Sequence, residues 1–296
     1  MTDILKNTIG PHIYKYYVKW LKLPLNNKRG EATLHRFLNK YMLENEKETR
    51  ERLEKLPKIE EEPKPIDEKD WDNLIILDAC RYDIYKEVTG RDIEKRISVA
   101  SFTSQYTEKT FSTGDWTDTV FVSANGFHAD KTIQDLTGRE NIFYERWSCI
   151  GDKWDEDILG VSPSDVIEDA ETANKLFPSK NLIVHFGQPH QWFLDEDGEL
   201  VFRPETNYRV GNNGLADREQ TIYYYKESIK RALEEIAQFL PKLEGKTVIS
   251  ADHGEVLGEN QVYGHFKSSK AKALREVPWD VIENKEKFKE EFNDMK

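Results

Sequence analysis

Cysteine is scarce in this chain: Cys80 and Cys149 are the two in 296 residues, and they form no Cys-x-x-Cys pair. Neither a disulfide framework nor a thiolate zinc site is therefore indicated, and a reducing compartment fits. Long apolar runs are missing too. Nothing approaches the roughly 20 consecutive apolar residues that span a bilayer, and the N-terminus lacks the charged head, apolar core and small-residue cleavage site of a signal peptide. A cytoplasmic location is the expectation. Positive charge is in deficit, with 43 Lys and Arg against 55 Asp and Glu and a net charge of −12. General affinity for nucleic acid is thereby disfavoured, because a polyanion would need a local basic patch. Internal repeats are absent, and the biased segment is Leu56 to Pro65, an acidic connector punctuated by proline.

What is present reads as α/β. Short apolar runs at Asn73–Leu77, Ile97–Ala100, Thr119–Ser123, Asn141–Tyr144, Asn181–Phe186 and Lys246–Ser250 are strand candidates, while Asp83–Val88 has a helical pattern. Leu215–Leu240 carries Ile222, Tyr225, Ile229, Leu233, Ile236 and Leu240 at three- and four-residue steps, the pattern of a long amphipathic helix. Strands interleaved with helices predict a mostly parallel central sheet with helices on both faces. Residues 1–67 form a helical extension and connector, and 68–296 the catalytic domain. In such sheets ligands gather at the carboxyl ends of the strands. Gln191 to Asn213, rich in Gly, Asp, Asn and Glu, is a surface excursion after a strand end, where substrate-binding loops sit.

Three strand ends present candidate ligands. Leu74–Leu77 leads into Asp78, Leu182–Val184 into His185 and then His190, and Thr247–Ser250 into Asp252 and His253. A carboxylate beside an imidazole at a strand end, with His265 a short loop away, is a common way to assemble a metal site. For Asp78 taken alone, capping of the next helix is an equal alternative. His185, inside an apolar run, reads as a core histidine and is left out of the site.

The run Asp252-His253-Gly254-Glu255-Val256-Leu257-Gly258-Glu259-Asn260, followed by Tyr263-Gly264-His265, resembles the Asp-His-Gly-Glu, Leu-Gly-Glu and downstream His pattern of the alkaline phosphatase superfamily. The nearest branch is the sulfatase-like one that includes phosphoethanolamine and phosphoglycerol transferases. Val277-Pro278-Trp279 resembles the element of that family that returns to the sheet. The resemblance implies an alkaline-phosphatase-like fold and a metal-activated nucleophile at the start of a helix. Ser101, Thr103 and Ser104 compete for that place, and Thr103 is preferred because Ser101 is nearer the strand and Ser104 falls within the first turn. Ordinary N-capping is the alternative for Ser101 or Thr103.

The resemblance further implies that Asp78, Thr103, Asp252 and His253 hold a divalent cation, Zn or Mn, with Ca or Mg as alternatives. His190 and His265 are expected opposite, either binding a second cation or holding substrate oxygens and protonating the leaving group. Two-zinc members carry an Asp and a His four residues apart on the strand equivalent to Asn181–Phe186. Here the pair is His185 and His190, so a full second shell is not expected. The Cys/Ser-x-Pro-x-Arg motif of formylglycine sulfatases is also missing. The leading expectation is therefore a metal-dependent phosphohydrolase or phosphotransferase acting on phosphate mono- or diesters through a phospho-threonine. The alternatives are a sulfuric ester hydrolase without formylglycine and a non-catalytic module that binds metal or glycan. Implied partners are a phosphorylated small molecule, a glycan or a lipid-linked headgroup. Arg81, Lys109 and Asn125 are lesser pocket candidates.

Residues 12–23 mix aromatics with lysines. Packing on the catalytic domain or on another copy of the chain is the preferred reading, and peripheral contact with an anionic membrane is the other.

Overall fold

The computed structural model describes residues 47–293 except 68–69, 156–157, 159, 191–192, 195–199 and 203–217. The helical extension expected before residue 47, with segment 12–23, lies outside the described residues, as does most of the excursion from Gln191 to Asn213. The chain divides into two compact units, Met1–Glu48 and Thr49–Lys296. The proline-containing connector belongs to the second: Leu53 and Leu56 pack with Val256, Val262, Ala271 and Leu274, and the Ile59 N–H donates to the Lys270 carbonyl at 2.9 Å.

In chain order the second unit contains β1 (Asn73–Asp78), α1 (Tyr82–Thr89), β2 (Glu94–Ile97), α2 (Thr103–Phe111), β3 (Trp116–Ser123), α3 (Asp130–Thr137) and β4 (Phe143–Ser148). These are followed by α4 (Pro163–Leu176), β5 (Asn181–Pro189), β6 (Phe193–Leu194), β7 (Leu200–Phe202), α5 (Arg218–Phe239) and β8 (Thr247–Ala251). The chain closes with β9 (Val256–Leu257), β10 (Tyr263–Gly264), α6 (Lys272–Arg275), β11 (Glu276–Ile282) and α7 (Lys285–Asn293).

A seven-stranded sheet runs β2-β11-β8-β1-β5-β3-β4. Strands β8, β1, β5, β3 and β4 are parallel to one another, and β11 is antiparallel to both β8 and β2. Central β1 is buried along its whole length, as expected of a strand covered on both faces. Alternate residues serve opposite layers. Ile75, Leu77, Val120, Val122, Leu182 and Val184 face Val166, Ala170, Tyr225, Ile229 and Leu233 of α4 and α5. Leu74, Ile76, Phe121, Ile183 and Val248 face Tyr106, Phe111 and Ile133 of α2 and α3. Each such fully buried aliphatic side chain contributes about 1.5–3 kcal/mol. The edge strands β2 and β4 carry charged, partly exposed residues, which discourages pairing with other chains.

Two strands fall elsewhere than expected from the apolar runs. The second ends at Ile97, because Ser98 turns away: its N–H donates to the Arg275 carbonyl at 2.8 Å, and its hydroxyl donates to the Asp252 carbonyl. The fourth begins at Phe143, because Asn141 has a φ of 52°, a left-handed conformation that a strand cannot contain. No described helix is long and apolar enough to cross a membrane.

Candidate metal centre

The carboxyl ends of β1, β8 and β5 and the start of α2 converge on one buried site. Past Asp78 the chain makes a left-handed turn at Ala79, whose φ is 57°. For a residue with a Cβ this conformation is costly and persists only when the surroundings impose it. Tyr225 of α5 does so: its hydroxyl donates to the Ala79 carbonyl and accepts from the Arg81 N–H at 3.0 Å. The turn aims the Ala79 N–H at Asp252 Oδ1, 2.9 Å away.

Asp252 Oδ1 also accepts from the His253 N–H at 2.8 Å. That leaves Asp252 Oδ2 buried without a hydrogen-bond partner among the described residues. Asp78 is held in the same manner. Asn125 Nδ2 donates to Asp78 Oδ2, while Asp78 Oδ1 is buried and without a partner. Two carboxylate oxygens left bare in this way would each carry a desolvation cost unless a cation fills the space between them.

His253 supplies the third group. Its Nδ1–H donates to the Gly254 carbonyl at 2.8 Å, so Nε2 keeps its lone pair. That nitrogen lies 3.4 Å from Asp252 Oδ2 and 3.9 Å from Asp78 Oδ1. Thr103, the first residue of α2, places Oγ1 3.1 Å from the same nitrogen. Of the competing hydroxyls, Ser101 is engaged elsewhere, donating to the Phe266 carbonyl at 2.7 Å and accepting from the Ser269 N–H at 3.0 Å. Gly254 is required by packing, since a Cβ there would stand 2.1 Å from the Ala273 carbonyl oxygen.

Asp78, Asp252 and His253 thus offer ligand atoms that all lie within 4.8 Å of one another. The donor set, two carboxylates and a neutral imidazole with a hydroxyl beside them, fits a divalent cation. Without a cation the three groups differ in protonation. Burial, reinforced by the charge of Asp252 and opposed by the Asn125 hydrogen bond, holds the Asp78 carboxyl well above its ordinary range. Burial pushes Asp252 the same way, but His253, His185 and the Ala79 N–H outweigh it and keep Asp252 ionised. Burial lowers His253, which is therefore neutral.

A second group stands beside the first: His190, Glu255 and His265 also meet within 4.8 Å. His265 Nδ1 donates to Glu255 Oε2 at 3.0 Å, and His190 Nδ1 lies 3.6 Å from the same oxygen. The His265 ring centre is 4.7 Å from that of His190 and 4.6 Å from that of His253. Burial brings both His190 and His265 down to about 4 and raises Glu255. The sequence expectation of an incomplete second shell omitted Glu255. Its signal was present in the motif, where it follows Gly254, but only folding shows that β9 and β10 bring it back onto His265.

The other candidates separate. Asn125, a lesser one, joins Asp78 directly. His185 is fully buried on β5, its Nε2 3.8 Å from Asp252 Oδ2 and neither ring nitrogen hydrogen-bonded among the described residues. Arg81 is consumed by Asp83 at 2.6 Å and Glu259 at 2.7 Å. Lys109 donates to the Val99 carbonyl at 3.0 Å.

No family model matches the chain, and no curated protein matches it. Solved structures do. The integral membrane lipooligosaccharide phosphoethanolamine transferase A of Neisseria meningitidis has 14% identity and a TM-score of 0.47 over 70% of this chain and 47% of its own. The C-terminal periplasmic domain of a phosphoethanolamine transferase from Campylobacter jejuni has 14% identity and a TM-score of 0.46 over 73% of this chain and 82% of its own. A protein in the alkaline phosphatase superfamily from Vibrio parahaemolyticus has 13% identity and a TM-score of 0.39 over 82% of this chain and 69% of its own. This chain thus spans about half the length of the first. The cytoplasmic expectation is corrected: the Campylobacter structure is of a periplasmic domain, and the cytoplasm does not stand as the location of this chain.

Proposed function

We propose that the chain is a metal-dependent phosphoryl-transfer enzyme, a phosphohydrolase or phosphotransferase of phosphate mono- or diesters, with Thr103 as nucleophile. The observation that carries this reading is the 3.1 Å approach of Thr103 Oγ1 to His253 Nε2 beside the bare oxygens Asp78 Oδ1 and Asp252 Oδ2. Asp78, Asp252, His253 and Thr103 would hold a divalent cation. Bound there, such a cation lowers the pKa of the hydroxyl and offsets the charge of the phosphoryl group.

The chain's own groups do the rest. Thr103 opens α2, so the free N–H groups of the first helical turn are available to the phosphoryl oxygens. Thr103 Oγ1 bonds to phosphorus as the bond from phosphorus to the ester oxygen breaks; the hydroxyl gives its proton to solvent, and the ester oxygen takes one from solvent and leaves as the alcohol. Water or an acceptor alcohol then resolves the phospho-threonine by attack on the same phosphorus and regenerates the hydroxyl. His190, Glu255 and His265 would offer three ligand atoms to a second cation. Their neutral imidazoles suit that role better than proton donation.

The test is metal content together with turnover of p-nitrophenyl phosphate and bis(p-nitrophenyl) phosphate by the purified full chain. Wild type is expected to retain divalent metal and hydrolyse at least one ester. Thr103→Ala is expected to lose turnover while keeping the metal, and Asp252→Asn to lose both. Full activity in Thr103→Ala would remove Thr103 as nucleophile, and a wild type unable to bind any divalent metal would remove the mechanism.

A further inference from the structure

The rim of this site carries an unneutralised cation on an aromatic wall. Phe102, the residue before Thr103, has its ring centre 4.8 Å from that of His265 and 6.4 Å from that of His253. Phe127 meets it edge-on at 5.9 Å and is 38% exposed. The Lys267 ammonium lies 5.1 Å from the centre of the Phe102 ring, within cation–π range. Lys267 makes no ion pair or side-chain hydrogen bond among the described residues. Other lysines also lack a carboxylate partner among the described residues, but Lys267 is set apart by lying over the Phe102 ring, next to Thr103. The other cations nearby, Arg81 and Lys109, are already engaged.

The scaffold holds the backbone that carries these side chains. The loop after His265 is stapled to the start of α2 on both sides of Lys267. Ser101 takes the Phe266 carbonyl and the Ser269 N–H, and Gln105 accepts from the Ser268 N–H at 2.8 Å and donates to its hydroxyl at 2.9 Å. Phe127 is fixed by Asn125, whose Oδ1 accepts the Phe127 N–H at 2.9 Å while its Nδ2 holds Asp78. The rim and the metal cluster are thus parts of one hydrogen-bonded frame.

Resting on the phosphoryl-transfer reading, we propose that Phe102, Phe127 and Lys267 form a subsite for the part of the substrate beyond the reacting phosphorus. The substrate class is a phosphoester whose alcohol portion is apolar or planar next to the ester oxygen and carries a second anionic group, a carboxylate or another phosphate. The rings take the apolar stretch, and the Lys267 ammonium takes the second charge. Lys267 therefore selects among esters that Thr103 would otherwise attack alike.

The test uses hexyl phosphate and its ω-carboxy counterpart, which differ in the distal carboxylate. Their binding to the full chain supplied with Zn²⁺ is measured by calorimetry, which needs no turnover. Wild type is expected to prefer the carboxylate compound by about fivefold at low salt, the scale of one exposed ion pair, with the preference shrinking as salt is added. Lys267→Ala should abolish the preference, Lys267→Glu reverse it and Lys267→Arg retain it. Equal affinity in wild type, with Thr103-dependent turnover of p-nitrophenyl phosphate intact, would overturn this inference alone. A preference that survives in Lys267→Glu would do the same. Failure of either phosphate to bind would overturn it together with the reading on which it rests.

Discussion

His128 Nε2 lies 3.0 Å from Thr107 Oγ1, and the Thr107 hydroxyl donates to the Thr103 carbonyl at 2.9 Å. Because Thr107 spends its one proton on that carbonyl, the imidazole must carry its hydrogen on Nε2 and accept at Nδ1. Ser123 meets Nδ1 at 2.7 Å, and the Ser123 oxygen accepts from the Asn125 N–H at 3.1 Å. One buried ring therefore connects the helix turn bearing Thr103 with the residue that holds Asp78.

Burial pushes His128 well below its ordinary value, with His185 adding to the effect. The folded ring is neutral, whereas the unfolded one protonates below about pH 6.5, so acid favours the unfolded chain. The contribution of His128 to stability is expected to be full above that pH and to fall as pH drops below it. His128→Gln should lessen the slope of this acid limb by up to about 1.4 kcal/mol per pH unit. His190 and His265, also lowered, retain their own contributions. Urea unfolding of both proteins between neutral and mildly acidic pH checks this, and identical slopes would discard it.

Asn125→Ala removes the donor that turns Asp78 Oδ1 toward His253. Cation affinity is expected to fall about 10–100-fold, as when other groups that orient metal ligands are removed. Zinc titration against a competing chelator measures it. Unchanged affinity would mean that Asp78 keeps its orientation without Asn125.

Divalent cation should raise the melting temperature of wild type and leave Asp252→Asn nearly unmoved. Binding to the folded state alone stabilises by about 2.7 kcal/mol at a hundredfold excess over Kd. Because Asp78 is held above its ordinary range, proton and cation compete for that carboxyl, and affinity should climb with pH across its titration. Calorimetry in buffers of different ionisation enthalpy would detect the released proton.

Gly254→Ala is expected to cost more than about 4 kcal/mol, the range of severe backbone or packing clashes. The added Cβ meets the Ala273 carbonyl rather than a flexible side chain. Expression level and thermal unfolding report it, and a stable, metal-binding Gly254→Ala would refute the close approach.

The apolar runs of β1, β5 and β8 and the three- and four-residue spacing of α5 carry the fold class in their order. The physical cause is plain, since strands buried on both faces must be apolar throughout and a helix must bury one stripe. Strand limits at Ser98 and Asn141 were not legible, because a distant carbonyl and a left-handed φ set them. A helix at Pro163–Leu176 was signalled by its Ser162 cap and leading proline, a signal weaker than the apolar period of α5.

By itself the sequence determined that Asp78, Asp252 and His253 stand at or just past strand ends, because an apolar run stops where polar residues begin. It also supplied Glu255 and His265, ten residues apart. Only the tertiary structure decided that Thr103, 150 residues before His253, lies against its Nε2, and that Asn125 leaves one oxygen of Asp78 bare. Those relationships depend on which strands become neighbours in the sheet and on turns held by side chains from remote helices, which no local pattern encodes.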